Sequence, residues 1–140
     1  MSKKIYFACS IRGGRNDAGM YGQLVTHIET RAHVLSEIFA DKTLTPQGSP
    51  GKSADIYAKD IAWVQEADAI IAEVTNPSLG VGYEIAKAEE WGKHVLALFR
   101  ETGERKLSAM IDGSPNVTVV RYKTFDEAKI AIDQFIRTLV

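Results

Sequence analysis

The chain has one cysteine, Cys9, among 140 residues. An internal disulfide is therefore excluded and, with no Cys/His cluster, so is a thiolate zinc site. Cys9 closes the apolar run Ile5-Tyr-Phe-Ala-Cys9, where it is expected to be a small buried hydrophobe. Long apolar runs are missing as well. None approaches the roughly 18 residues that a membrane span needs, and the run after Met-Ser-Lys-Lys is too short for a signal-peptide core. Nor does charge of one sign dominate: 17 basic against 18 acidic side chains give a net charge of −1. No global basic field points to nucleic acid or a membrane surface, although a local anion site remains allowed. Repeats, linkers and low-complexity segments are also absent. The expectation is one domain over 1–140, cytoplasmic (or nuclear), with neither nucleic acid nor membrane as partner.

What is present is an ordinary globular composition, 45% hydrophobic and 25% charged, in which strand and helix patterns alternate. Ile5–Cys9 reads as a first strand, 10–17 as a polar Gly-rich loop, and Ala18–Arg31 as a helix. His33–Phe39 reads as a second strand, with a helical continuation as the alternative. The stretch 43–54 carries Pro46, Pro50, Gly48 and Gly51 without periodicity, the mark of a long loop that can close over a site. A helix over 55–67 follows, capped by Ser53 or Asp55. Then come a buried strand over 68–74, a helix over 81–91 and a strand at His94–Phe99. A short helix at Lys106–Ile111, a strand at Val117–Arg121 and an amphipathic helix at Phe125–Leu139 complete the chain. Such alternation predicts an α/β fold: a doubly wound, flavodoxin- or Rossmann-like parallel sheet of five strands with helices on both faces.

The chain is organised around Glu73 to Glu84, Glu-Val-Thr-Asn-Pro-Ser-Leu-Gly-Val-Gly-Tyr-Glu. This is a strand-to-helix turn, the place where open α/β sheets bind ligands. Pro77, Gly80 and Gly82 suit a tight turn with close backbone approach. Glu84 is expected in the first turn of the helix, where the dipole favours its ionised form and suits a nucleophile; the plain alternative is that it only offsets the dipole. The first loop carries Ser10, Arg12, Gly13, Gly14 and Arg15 in the phosphate position of such a fold. A solvated loop with surface arginines is the other reading. It is no Walker loop, because the glycine required before Gly51-Lys-Ser53 is Pro46, and no G-x-G-x-x-G follows the first strand. Asp60 shares a helix face with Ile56 and Trp63, so it either edges the core in solvent or enters a pocket. With Glu84 it would supply the two carboxylates that glycosidic-bond cleavage uses. Tyr6 is either a core tyrosine or a hydroxyl that reaches a carboxylate at the strand ends.

Taken together, Tyr6-Phe-Ala-Cys-Ser-Ile-Arg-Gly-Gly-Arg15, Asp60-Ile-Ala-Trp63, Ala67-Asp68, Ala72 to Glu84 and Leu107-Ser-Ala-Met-Ile111 resemble the 2'-deoxynucleoside 5'-phosphate N-hydrolases. These belong to the nucleoside 2-deoxyribosyltransferase superfamily, and the resemblance runs from about Ile5 to Arg121. It implies cleavage of the N-glycosidic bond of a deoxynucleoside monophosphate into free base and deoxyribose 5-phosphate. Matched residue by residue, Glu84 is the nucleophile, Asp60 the acid/base and Tyr6 the group that holds the nucleophile. Ser10, Ile11, Arg12, Gly13, Gly14, Ser78 and Gly80 bind the substrate and its 5'-phosphate. The implied assembly is a homodimer, with Ser108 reaching the phosphate of the neighbouring subunit. No cofactor or metal is implied. The chain departs from animal members at Ile38, where they carry a His near the base, and in the composition of the 43–54 loop. Three other readings compete: a ribonucleotide, CMP-type N-glycosidase; a base-exchanging deoxyribosyltransferase; and a non-catalytic nucleotide-binding module.

Overall fold

The computed structural model describes residues 2–10, 18–36 and 51–139. In chain order the elements are β1 (Lys4–Cys9), α1 (Ala18–Glu29), β2 (His33–Leu35), α2 (Ser53–Glu66), β3 (Ala69–Glu73), α3 (Leu79–Glu90), β4 (His94–Arg100), α4 (Ala109–Asp112), β5 (Val117–Tyr122) and α5 (Phe125–Arg137). The five strands form one parallel sheet in the order β2-β1-β3-β4-β5. The chain therefore reverses its winding direction at β1/β3, where doubly wound folds open a crevice at the strand ends.

Both sheet faces are covered, which explains why β1, β3 and β4 read as nearly continuous apolar runs. Ile5, Phe7, Cys9, Ala69, Ile71, Leu96 and Leu98 face α1 and α5. Tyr6, Ala8, Ile70, Ala72, Val95 and Ala97 face α2 and α3. On that second face Ala8, Ala72 and Ala97 stand in register across β1, β3 and β4. Three methyl groups in a row keep the sheet low, so α3 packs closely through Val81, Ile85 and Ala88. The α5 periodicity holds as expected: Ala128, Ile132 and Phe135 are buried, and Ile136 and Leu139 pack on the same cluster.

Several boundaries differ from the sequence expectation. The α2 helix starts at Ser53, and its N-cap is Lys52 with no side-chain cap bond, so neither Ser53 nor Asp55 caps it. Its other end is closed from outside, where the Lys93 ammonium donates to the carbonyls of Gln65 and Ala67, each at 2.7 Å. The β2 strand ends at Leu35; residues 37–39 lie outside the described set. The short helix near Ser108 begins after that residue and not at Lys106, because the Ser108 hydroxyl accepts the Met110 N–H and serves as its N-cap. Among the described residues no helix is long and apolar enough to cross a membrane.

Candidate active site

The site is built at the carboxyl ends of β1 and β3. Ser78 ends the β3–α3 turn as the N-cap of α3, its hydroxyl accepting the Val81 N–H at 3.2 Å. The helix thus begins at Leu79, two residues earlier than the glycines suggest. Gly80 and Gly82 lie inside the first turns of α3 and not in the turn before it. Glu84 is consequently in the second turn, about 7.5 Å along the axis from Leu79 at 1.5 Å per residue. That is past the reach of the terminal dipole, and α3 has no acidic residue in its first turn.

A different device holds Glu84. The Tyr6 hydroxyl, projecting from β1 on the α2/α3 face, donates to Glu84 Oε2 at 2.6 Å. A donor to a carboxylate of this length is a strong, charge-assisted contact that fixes the orientation of the carboxylate. The Tyr6 ring is buried and meets Trp63 of α2 at 6.3 Å between centroids. Asp60, one turn before Trp63 on α2, is half-buried, with Oδ1 shut off from solvent. Of the sequence alternatives, Asp60 therefore enters the interior and Tyr6 reaches a carboxylate. The hydroxyls of Tyr57 and Tyr83, one residue before Glu84, lie 3.1 Å apart at the α2–α3 border. That bond raises the Tyr57 phenol above its ordinary pKa.

The expected phosphate residues divide into three groups. Ser10 is fully buried at the end of β1. Ser78 and Gly80 open α3, and a Cβ built on Gly80 would meet only the Ser78 hydroxyl, at 3.9 Å, while one on Gly82 would meet nothing. Two helical glycines cost about 1 kcal/mol each relative to alanine, and no packing among the described residues requires them. They leave bare backbone open to whatever approaches. Ile11, Arg12, Gly13 and Gly14 lie outside the described residues, as do Arg15, Ile38 and most of the 43–54 loop.

Ser108 is exposed, and it lines a cavity of about 1040 Å³ together with Ser78, Leu79, Gly82, Glu89 and Met110. Neither Tyr6, Asp60 nor Glu84 is in its walls, so it is separate from the Tyr6–Glu84 contact. Its rim is apolar and uncovered, with Leu79 97% and Met110 82% exposed. Among the described residues no group of three or more His, Cys, Asp or Glu side chains is placed to hold a metal.

Comparison with known proteins adds lineage to this geometry. A match to the nucleoside 2-deoxyribosyltransferase family spans residues 5–133. The chain belongs to that family. Among its relatives is a mouse (Mus musculus) protein named 5-hydroxymethyl-dUMP N-hydrolase. It is 42% identical over 131 residues, which are 92% of this chain and 75% of the mouse protein. A Tetraodon nigroviridis protein of the same name is 42% identical over 136 residues, covering 94% of this chain and 96% of the other. Among solved structures, the CMP N-glycosidase of Clostridium botulinum superposes with a TM-score of 0.62 at 21% identity, covering 94% and 99% of the two chains. At that identity the likeness shows the fold that this deoxyribosyltransferase-family chain shares with an N-glycosidase.

One buried carboxylate was not among the candidate residues marked in the sequence. Glu73, the last residue of β3, is buried at 1% exposure and accepts from Thr75 N at 2.8 Å, from the Thr75 hydroxyl at 2.9 Å and from the Tyr122 hydroxyl. A carboxylate in the same strand parity as Ala69 and Ile71 was the available signal.

Proposed function

We propose that the chain hydrolyses the N-glycosidic bond of 2'-deoxynucleoside 5'-monophosphates, releasing free base and 2-deoxyribose 5-phosphate. The observation that carries this is the 2.6 Å contact between Tyr6 and Glu84, in a chain about 40% identical to proteins named 5-hydroxymethyl-dUMP N-hydrolase. Glu84 attacks the anomeric carbon through its carboxylate while Tyr6 holds Oε2. The C1'–N bond breaks, and Asp60 in its acid form protonates the departing base. Water then attacks the glycosyl ester, Asp60 takes its proton, and deoxyribose 5-phosphate leaves with Glu84 regenerated. In this scheme the carboxylate that becomes the nucleophile also stabilises oxocarbenium character as it develops at C1'.

Ser10, Ile11, Arg12, Gly13, Gly14, Ser78 and Gly80 take the 5'-phosphate in this reading. The support is the buried Ser10, the capping Ser78 and the room that the described residues leave around Gly80 and Gly82. Anchoring the phosphate away from C1' converts binding into orientation at the reacting carbon. Ser108 completes the site of a second copy, and the exposed Leu79 and Met110 around the Ser78–Ser108 cavity give that copy an apolar seat. The decisive variant is Glu84→Gln, which keeps size and loses the nucleophile. Base release should fall at least about 10³-fold with the thermal midpoint near that of the parent protein; full activity would remove Glu84 from the mechanism.

A further inference from the structure

The mechanism uses Glu84 and Asp60 but leaves a third carboxylate, Glu73, buried at the carboxyl end of the central strand β3. It lies on the opposite face of the sheet from Glu84, in line with Ala69 and Ile71 toward α1 and α5. Thr75 contributes both its N–H and its hydroxyl to Glu73, folding the chain back immediately after β3. The same Thr75 hydroxyl accepts the Arg100 N–H from the end of β4 at 2.8 Å. Tyr122, at the end of β5 and buried at 1% exposure, donates its hydroxyl to Glu73 as well. One residue further along the turn, Asn76 donates to the Tyr21 hydroxyl of α1 at 3.0 Å. The ends of β3, β4 and β5 and the side of α1 are thus drawn to one short segment, 74–78. That segment leads straight into Ser78 and the first turn of α3.

We propose that Glu73 and Tyr122 are positioning residues for phosphate recognition, acting through the 74–78 turn on Ser78 and the open backbone at Gly80. This rests on the monophosphate-hydrolase reading above. Buried carboxylates are costly unless their acceptor sites are filled, and a fold that only needed packing here would place an apolar side chain in line with Ala69 and Ile71. What the carboxylate supplies instead is rigidity at a turn that has no secondary structure of its own. Glu84 has its own clamp in Tyr6 on the other face, so loosening the Glu73 network should misplace the phosphate contacts and leave the nucleophile standing.

The test is Tyr122→Phe, which keeps the ring in the core and deletes one donor, with Glu73→Gln beside it. The expected result for a deoxynucleoside monophosphate is a KM raised about tenfold, with kcat within about twofold of the parent. In a Ser78→Ala background the added effect of Tyr122→Phe should disappear, because both act on one contact. A fall in kcat that follows the folded fraction with KM unchanged, or full additivity with Ser78→Ala, would overturn the proposal. If Glu73→Gln fails to fold, Tyr122→Phe decides alone. Should the parent protein release no base from any monophosphate, the functional reading fails separately. Amide exchange then judges the network: faster exchange at 74–78 in Tyr122→Phe, with global stability kept, supports it, and unchanged exchange contradicts it.

Discussion

Tyr6 and Glu84 show how one side chain does two jobs. The Tyr6 ring fills the core between β1 and α2, and its hydroxyl holds one oxygen of Glu84. Removing the hydroxyl alone separates the two. Tyr6→Phe should leave the melting temperature within a few degrees, since the ring remains, and lower kcat by about 10- to 100-fold through a freed carboxylate. Steady-state assays beside a thermal melt check both halves; an unchanged kcat would reduce Tyr6 to a packing residue. Asp60 is expected to show the complementary pattern, because a leaving base that is easily expelled needs little protonation. Asp60→Asn should therefore slow natural bases more than bases whose departure needs no proton.

At the scale of elements, the sheet that carries the site is held by helices on both of its faces. On one face Lys93 closes the C-terminus of α2 with two carbonyl contacts, and Gly92 ends α3 at φ +72, a left-handed conformation suited to glycine. Lys93→Met should cost on the order of 1–2 kcal/mol by releasing those carbonyls, read as a shift in denaturant midpoint. On the other face Asp133 of α5 meets His27 at 2.8 Å and Arg31 at 3.2 Å, both carried by the end of α1 and the turn after it. Burial pushes the Asp133 carboxyl up, but hydrogen bonds and charge from His27 and Arg31 outweigh it and hold the pKa below the ordinary value. A depressed carboxylate stabilises the fold above its unfolded pKa, and that contribution is lost as pH falls through the folded value. The parent protein should thus lose stability on the acid side, below about pH 4, more steeply than Asp133→Asn, as pH-dependent melts would show.

Those elements were largely visible in the sequence, for physical reasons that also explain the misses. Strands buried on both faces must be apolar throughout, so β3 and β4 announced themselves, and the α5 stripe gave its inward face directly. The start of α3 was hidden because Gly80 and Gly82 carry turn propensity, while the Ser78 cap that overrides them has the same spelling as a loop serine. Tyr6, Asp60 and Glu84 could be marked individually, but the contact of Tyr6 with Glu84 spans 78 positions and needs the sheet to make it. The Glu73–Tyr122 bond, across 49 positions and over the end of an intervening strand, was invisible for the same reason.

For the molecule as a whole, the proposed chemistry sits on the α2/α3 face, and a second copy is expected over the Ser78–Ser108 cavity. Met110→Glu would put a charge on that apolar rim. Light scattering should give a dimer for the parent and a monomer for the variant, with kcat/KM lowered about tenfold or more as the partner's serine is lost. A parent that is monomeric and fully active would remove Ser108 from the site. The most direct test of the central claim is base release from the four 2'-deoxynucleoside monophosphates and 5-hydroxymethyl-dUMP. Their ribo counterparts and the unphosphorylated nucleosides run alongside, separated by chromatography. Free base from deoxy monophosphates, with ribonucleotides and nucleosides spared, is the predicted result. Release from ribonucleotides instead, or from no nucleotide at all, would contradict it.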